Sequence, residues 1–471
     1  MHLSPIPLSK HRLTVRYSHH RSTLARLFKI GTLLSLLLLT ACGPSLRHQQ
    51  LVEQHLGSHR YADADAVVEK NKNDYGDRNL LLYYLDRAFL LHLAGRYEES
   101  NRFFEKATAE VDRLYTQSIS THAGAMLTND NLLPYEGEDF ETVLIHLFSA
   151  LNYAALGRWD DALVEARQVD ARLNLLNDRY AEKNVYKEDA FARYLAGVLY
   201  ELRGESNDAF ISYRKAYETF QSYKKNYQTP IPSRLGVDLI RITHTLHLSE
   251  EQEEYKRLFP QAVAIPSGKT FNQGGEVVVV TYEGRSPVKE DYFIDAPVPD
   301  GGGGVYLVRV ALPRFVPRPS RIGSVEVTFR QGETLLKQKA DVMEDITAIA
   351  KKNLEDRIAR ISSKAIARAT TKYIAARTAK HQAKKKGGEG AEILTDFLTN
   401  VYSLATEQSD KRSWQTLPAK IRLARISLPP GEWEVRIAYY SDQGRLVEER
   451  PLSPLKIEKG KQQFLIDHLL Q

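Results

Sequence analysis

From about Leu51 to Leu258 apolar residues recur three and four apart, and Gly and Pro fall mainly at breaks, so the pattern predicts a run of helices. Beyond Phe259-Pro260 and Pro266-Ser267-Gly268 the period shortens to two. Val325, Val327 and Phe329 alternate with Glu326, Thr328 and Arg330, as in a strand with one buried face. Six strands are predicted, at 276–282, 305–312, 325–329, 335–342, 421–428 and 433–440. Short strands set apart by Gly and Pro turns point to a β-sandwich-like domain. Residues 343–411 interrupt it with a helical stripe through Ile346, Ile349, Leu354, Ile358, Ile361, Ala365, Ala369 and Tyr373. Gly387-Gly388 is expected to fold this insertion into a helical hairpin. The fold class is α + β, with a helical domain over 50–258 and a β-rich domain over 266–471 that carries the insertion.

Three helical segments share one spacing centred on Gly95, Gly157 and Gly204. A small residue lies seven before each glycine (Ala88, Ala150, Gly197) and another five after it (Ser100, Ala162, Ala209). Small residues there let two antiparallel helices approach, and Gly supplies the turn between them. The pattern resembles the tetratricopeptide repeat, a helix-turn-helix unit of about 34 residues. The distances between glycines exceed that period, so the array is irregular, with an insertion over much of 115–140; a weaker unit around Gly57, Tyr61 and Ala64 is expected to cap it. In tetratricopeptide arrays the first helix of each pair lines a partner-binding groove. The resemblance therefore makes Leu85, Phe89 and His92, Leu147 and Leu151, and Tyr194, Val198 and Glu201 candidate groove residues. Phe89, His92, Tyr194 and Glu201 are the candidate partner contacts. Most of these positions are apolar, and the chain's own insertions could fill the groove equally well.

Charge changes the picture at the N-terminus. The chain carries 65 Lys and Arg against 59 Asp and Glu. Residues 1–29 contain Lys10, Arg12, Arg16, Arg21, Arg26 and Lys29 without an acidic residue, and the apolar run 30–41 follows. This reads as an export signal, since twelve residues span only about 18 Å as a helix. Leu39-Thr40-Ala41-Cys42 resembles the lipobox of bacterial lipoproteins. That likeness implies cleavage before Cys42, the only cysteine, and its lipidation, with 42–49 as the tether. Gly43 favours the outer membrane over inner-membrane retention. Cleavage removes the whole positive excess and leaves a neutral chain, and for a lipoprotein beyond the inner membrane a nucleic-acid partner is not expected. The neutrality is uneven: residues 42–260 are net −8 and residues 351–386 net +10. Arg360, Lys364, Arg368 and Lys372, four apart on the basic helix, are candidates for an anionic lipid or glycan surface, or for pairing with the acidic helical domain.

Motifs for chemistry are sparse. Ser267-Gly268-Lys269-Thr270 ends like a phosphate loop, but Val263 stands where its first Gly belongs and a strand pattern follows. Gly301 to Gly304 lacks the spacing of a dinucleotide loop. His244 and His247 lie three apart without a Cys or carboxylate pair to complete a metal site. No His-Glu-x-x-His and no Gly-x-Ser-x-Gly occurs, so no enzyme, cofactor or catalytic residue is expected. Trp414 is expected to anchor a core or interface.

Several strings are similar to uncharacterised tetratricopeptide-containing lipoproteins of Gram-negative bacteria. They are Ile231-Pro232 with Asp238-Leu239-Ile240-Arg241, Gly275-Glu276-Val277-Val278-Val279, Gly284 leading to Pro287-Val288-Lys289, Ala348-Ile349-Ala350-Lys351 leading to Asp356-Arg357, and Arg412-Ser413-Trp414 with Leu417-Pro418. The resemblance covers nearly all of the chain after Cys42, and implies cell-envelope work without an assigned activity. The expectation is a periplasm-facing, outer-membrane lipoprotein that acts as a non-enzymatic scaffold for an unknown envelope protein. A glycan-binding or glycan-processing β-domain, and membrane contact through the basic helix, are the alternatives.

Overall fold

The computed structural model describes residues 46–121, 130–179, 185–264, 274–299, 304–406 and 408–471. Arg47–Gln471 form one compact unit. In its first half α1 (Leu46–Gly57) precedes α2 (Tyr61–Lys70), and the single turn α3 (Lys72–Tyr75) follows. Then come α4 (Leu80–Leu93) and α5 (Tyr97–Thr121), α6 (Asp139–Ala155) and α7 (Trp159–Arg179), α8 (Ala190–Leu202) and α9 (Ser206–Tyr227), and α10 (Ser233–Thr245) and α11 (Ser249–Leu258).

One turn geometry joins the members of each pair. A residue with left-handed backbone stands at His59, Gly95, Gly157, Gly204 and His247. The next N–H reaches back five residues to a helix carbonyl: Arg60 to His55, Arg96 to Leu91, Arg158 to Tyr153, Glu205 to Tyr200 and Leu248 to Thr243, all at 2.8–2.9 Å. This is the Schellman closure of a helix C-terminus. The glycine-centred spacing finds three of these turns. The other two use His, at φ 56° and 57°, so a search keyed to Gly passes over α10–α11 and places the first turn at Gly57 rather than His59.

The small residues do what their spacing predicts. Ala88, Ser100, Ala150, Ala162 and Ala209 are fully buried between helices. A Cβ on Gly197 of α8 would stand 2.5 Å from the ring of Tyr213 on α9.

The second half contains β1 (Gly275–Glu283), β2 (Val288–Pro299), β3 (Val305–Val316), β4 (Ser324–Gln331), β5 (Thr334–Lys339), β6 (Asp341–Asp345), α12 (Ile346–Thr406), β7 (Lys420–Leu428), β8 (Gly431–Tyr440), β9 (Leu446–Pro451), β10 (Leu455–Ile457) and β11 (Gln462–Leu469). A four-stranded sheet runs β11-β1-β7-β6, and a five-stranded sheet runs β10-β8-β4-β5 with β9 beside β8. The two sheets share an apolar core of Val277, Val279 and Ala424 against Val327, Phe329, Trp433 and Ile437. The opposite face of the four-stranded sheet, with Val278, Val280, Tyr282, Ile421 and Leu423, joins the core of the helices. β1 is therefore buried on both faces, which is why its sequence is a nearly unbroken apolar run.

Two expectations are corrected. Residues 335–342 are not one strand: Ala340 forms a buried corner and the chain passes from the five-stranded to the four-stranded sheet. Residues 343–411 are not a hairpin, because α12 continues through Gly387-Gly388 to Thr406. Each glycine costs a helix only about 1 kcal/mol relative to Ala, and no Pro follows to force a stop.

The close approach at Gly197 gives a direct test. Gly197→Ala is expected to lower stability by about 1–3 kcal/mol through overpacking against Tyr213. A thermal melt followed by circular dichroism measures it, and an unchanged melting temperature would count against the tight α8–α9 contact.

Candidate functional site

The face of the helical pairs on which the four candidate contacts lie is occupied. The four-stranded sheet packs on the first helices, and Phe89, His92 and Tyr194 are buried beneath it, as is the side chain of Glu201. His92 links three elements: its Nδ1 lies 2.5 Å from Oδ1 of Asn152 on α6, and its Nε2 lies 2.8 Å from the Tyr282 hydroxyl on β1. Burial lowers the imidazole to a pKa of about 3 despite its bond to Asn152. The neutral ring donates from Nδ1 and accepts the Tyr282 proton at Nε2, an assignment made from the network. Asn152 passes the chain on, donating to Ser100 Oγ at 2.9 Å, and Ser100 donates to the Ala88 carbonyl at 2.7 Å.

Tyr194 and Glu201 belong to a buried ionic cluster. Arg425 on β7 is fully buried and meets Glu276 on β1 at 2.5 Å, Glu201 at 2.9 Å and Asp238 on α10 at 3.2 Å. Arg241 pairs with Glu201 and Asp238, and Arg234 pairs with Asp238 at 2.9 Å. Tyr194 donates to Asp238 at 2.7 Å, and Tyr213 to Glu201 at 2.8 Å. Three guanidinium groups thus face three carboxylates. Burial alone would push Glu201 up; Arg425 and Arg241 outweigh it and hold its pKa near 2. The same opposition holds Asp238 far below the usual carboxylate range.

A second cluster lies at the start of α6. Glu138 caps the helix and takes Lys289 of β2 and Arg357 of α12 as ion partners. Against burial, those two cations lower it to about 2. Glu141, one turn on, accepts from Trp414 N at 2.7 Å and Tyr135 Oη at 2.5 Å; burial and the neighbouring Glu138 raise it to about 7. Trp414 itself packs among Phe89, Phe104 and Phe148, as the sequence leads one to expect of an anchor.

An open cleft of about 530 Å³ lies over α5, α6 and α7. Its lining includes Phe104, Ala109, Ser149, Val164 and Leu175. His146 meets Glu165 at 2.8 Å and Arg172 meets Asp112 at 2.7 Å within that lining, and Glu105 adds a further carboxylate. Val164 is 51% exposed, an apolar side chain held open to solvent in a mixed apolar and acidic groove. No sequence signal marks this cleft: the repeat pattern points to the first helices, whereas the second helices α5 and α7 supply most of its lining.

The remaining candidates fall elsewhere. Cys42, the Ser267–Thr270 string and Gly301 to Gly303 lie outside the described residues. Arg360 is exposed, Lys364 and Lys372 half-buried and Arg368 buried along α12. His244 and His247 are exposed at the α10–α11 turn, and among the described residues no group of three metal-ligating side chains converges. No described helix is long and apolar enough to cross a membrane.

No protein-family model matches the chain, and no curated protein matches it in sequence. Among solved structures it is similar to a Podosopora anserina kinesin-light-chain protein with nearly identical TPR-like repeats, at 13% identity over 46% of this chain and 94% of that one, with a TM-score of 0.30. It is also similar to BtubC (BKLC) from P. vanneervenii, at 12% identity over 52% of this chain and 85% of that one, TM-score 0.32. A third is the Rap conjugation gene regulator of plasmid pLS20 in complex with the Phr* peptide, at 16% identity over 45% and 50% of the two chains, TM-score 0.28. Overlaps this low leave the helix-turn-helix assignment to rest on the five turns described above.

Arg425→Met would leave three buried carboxylates with two guanidinium groups, a loss expected to be about 3–5 kcal/mol near pH 7. Glu201 titrates near 2 when folded against an ordinary 4.5, so its contribution is present above pH 4.5 and lost as pH falls toward 2. Without Arg425, burial pushes Glu201 upward, so the deficit in thermal melts is expected to shrink between about pH 5 and pH 3. A deficit independent of pH would assign the loss to packing instead.

Proposed function

We infer that this chain is a non-enzymatic scaffold of the bacterial cell envelope, an outer-membrane lipoprotein anchored through lipidated Cys42. The observation that carries the scaffold reading is the acidic-rimmed cleft over α5, α6 and α7. It is open, and apolar side chains lie among Glu105, Asp112 and Glu165 with Arg172 the one Lys or Arg in its lining, which suits a segment or helix of a protein partner bearing basic residues beside apolar ones. The first-helix face is already filled by the chain's own sheet, so partner contact moves to the second helices. The two sheets with a shared core are read as a β-sandwich-like module that stiffens the helical array. Membrane attachment and compartment rest on the signal pattern and on the lipobox-like Leu39-Thr40-Ala41-Cys42.

Two measurements test this reading. A photo-crosslinking side chain at position 164 is expected to capture one discrete partner in vivo, and the same side chain at exposed Ile211 on α9 is not. Equal, diffuse products from both positions would reject the cleft as the binding surface. Metabolic labelling with a fatty acid is expected to mark the protein and to be lost in Cys42→Ala; a wild-type chain that takes no label, or a variant that keeps it, would reject the lipid anchor.

A further inference from the structure

The β2–β3 hairpin stands apart from both sheets. It is a two-stranded ladder from Val288↔Val316 to Pro299↔Val305. One face carries Ile294, Ala296, Val298, Val308 and Val310, which bury against Ile358, Ala365, Ala369 and Tyr373 of α12. Tyr306 stacks on Tyr373 with ring centres 4.4 Å apart. The alternate positions are covered toward the base of the hairpin, where Ala311 and Phe315 are buried, but open toward its outer end, where an exposed Asp295–Arg309 pair lies between Phe293 and Leu307. Phe293 is 50% exposed, Leu307 62% and Val305 72%, with Pro297 exposed beside them. Tyr292, Tyr306 and Ile374 at the margins are also about half exposed. Of the fourteen large hydrophobic residues exposed among the described residues, six lie on this arm, whereas the others are scattered along the chain. Single exposed hydrophobics need no explanation, but a cluster does.

We propose that the outer end of this hairpin and the basic flank of α12 together form a binding surface for an anionic lipid bilayer. Charge selects this occupant. Between Asp356 and Glu389 the helix has ten basic residues and no acidic one; Arg357 is held by Glu138 and Arg368 is buried, which leaves eight further basic residues along the flank. The hairpin itself, 288–316, is net −1, so the formal charge of hairpin and basic stretch together is positive. The helical half, net −8 over 42–260, would be repelled by the same surface, so the field turns the arm toward an anionic membrane and the cleft away from it. Tyr292 and Tyr306 at the margin suit the headgroup boundary, where an apolar ring and a polar edge are both accommodated. Strand addition by a second copy is the less favoured occupant: Pro297 and Pro299 alternate along β2 and remove backbone donors from its outer edge.

The test uses residues 47–471, the compact unit, so that no lipid anchor contributes to binding. Sedimentation with phosphatidylglycerol-containing vesicles is expected to recover at least about tenfold more protein than with pure phosphatidylcholine, and the excess is expected to fall in high salt. The variant Phe293→Trp is expected to show a shift of its fluorescence to shorter wavelength, beyond that of the unsubstituted protein, on the anionic vesicles only. Leu307→Glu, an exposed substitution expected to leave the melt unchanged, should lower vesicle binding about tenfold, as should the charge reversal Arg360→Glu. Equal binding to both vesicle types, an unshifted emission from the Phe293→Trp variant, or wild-type binding by Leu307→Glu would overturn the proposal. A concentration-dependent dimer abolished by Leu307→Glu, with no vesicle binding, would overturn it in favour of self-association.

Discussion

Arg425 is the point on which the rest of the molecule turns. A fully buried guanidinium on the central sheet cannot stand without counter-charge, and its three carboxylates come from α8, α10 and β1. The cluster therefore works only when the helical pairs and the sheet are together. Removing the sheet would strand Glu201 and Asp238 among fewer cations, and removing the helices would strand Arg425 and Glu276. Such clusters add little net stability over an apolar contact, but they penalise every misplaced docking of the sheet. The apolar core running from Phe89 and Phe148 into Val278, Val280 and Tyr282 supplies the bulk attraction, and the ionic cluster fixes its register.

That arrangement decides which surfaces remain. A helical array built of antiparallel pairs has two broad faces, and here one is spent on the chain's own β-sheet. Among the described residues the cleft on α5 and α7 and the unbacked outer end of the β2–β3 hairpin remain open, the first with carboxylates in its lining and the second beside the basic stretch of α12. The second ionic cluster, around Glu138, ties the base of the arm to the start of α6 through Lys289 and Arg357. The cleft and the arm are thus held by elements that share buried charges.

The helical pairs were readable because their turns and contacts are local. Gly95, Gly157 and Gly204 mark left-handed turns, and the small residues seven before and five after them mark the tight crossings. His247 and His59 perform the same turn with a side chain that carries no such flag, so the last pair and the true position of the first turn were hidden. The stop expected at Gly387-Gly388 failed for the converse reason: glycine permits a turn without requiring one. Arg425 was illegible in another way. In 421–428 its charge reads as a solvent-facing position of a half-buried strand, and its partners lie 149 to 224 residues earlier in the chain. The Arg412-Ser413-Trp414 string is distinctive in the sequence, but that its backbone satisfies Glu141 and its indole fills the α4–α6 core depends on packing no local pattern contains.

The central claim is that sheet and helices form a single body closed over the first-helix face. Hydrogen exchange of the native chain measures this most directly. The amides of β1 at 277–282 and those of α6 and α8 are expected to exchange together, with the slowest rates in the protein, because each opens only when the shared core opens. Fast exchange of β1 while α6 and α8 remain protected would show that the sheet lifts from the helices, and would contradict the account.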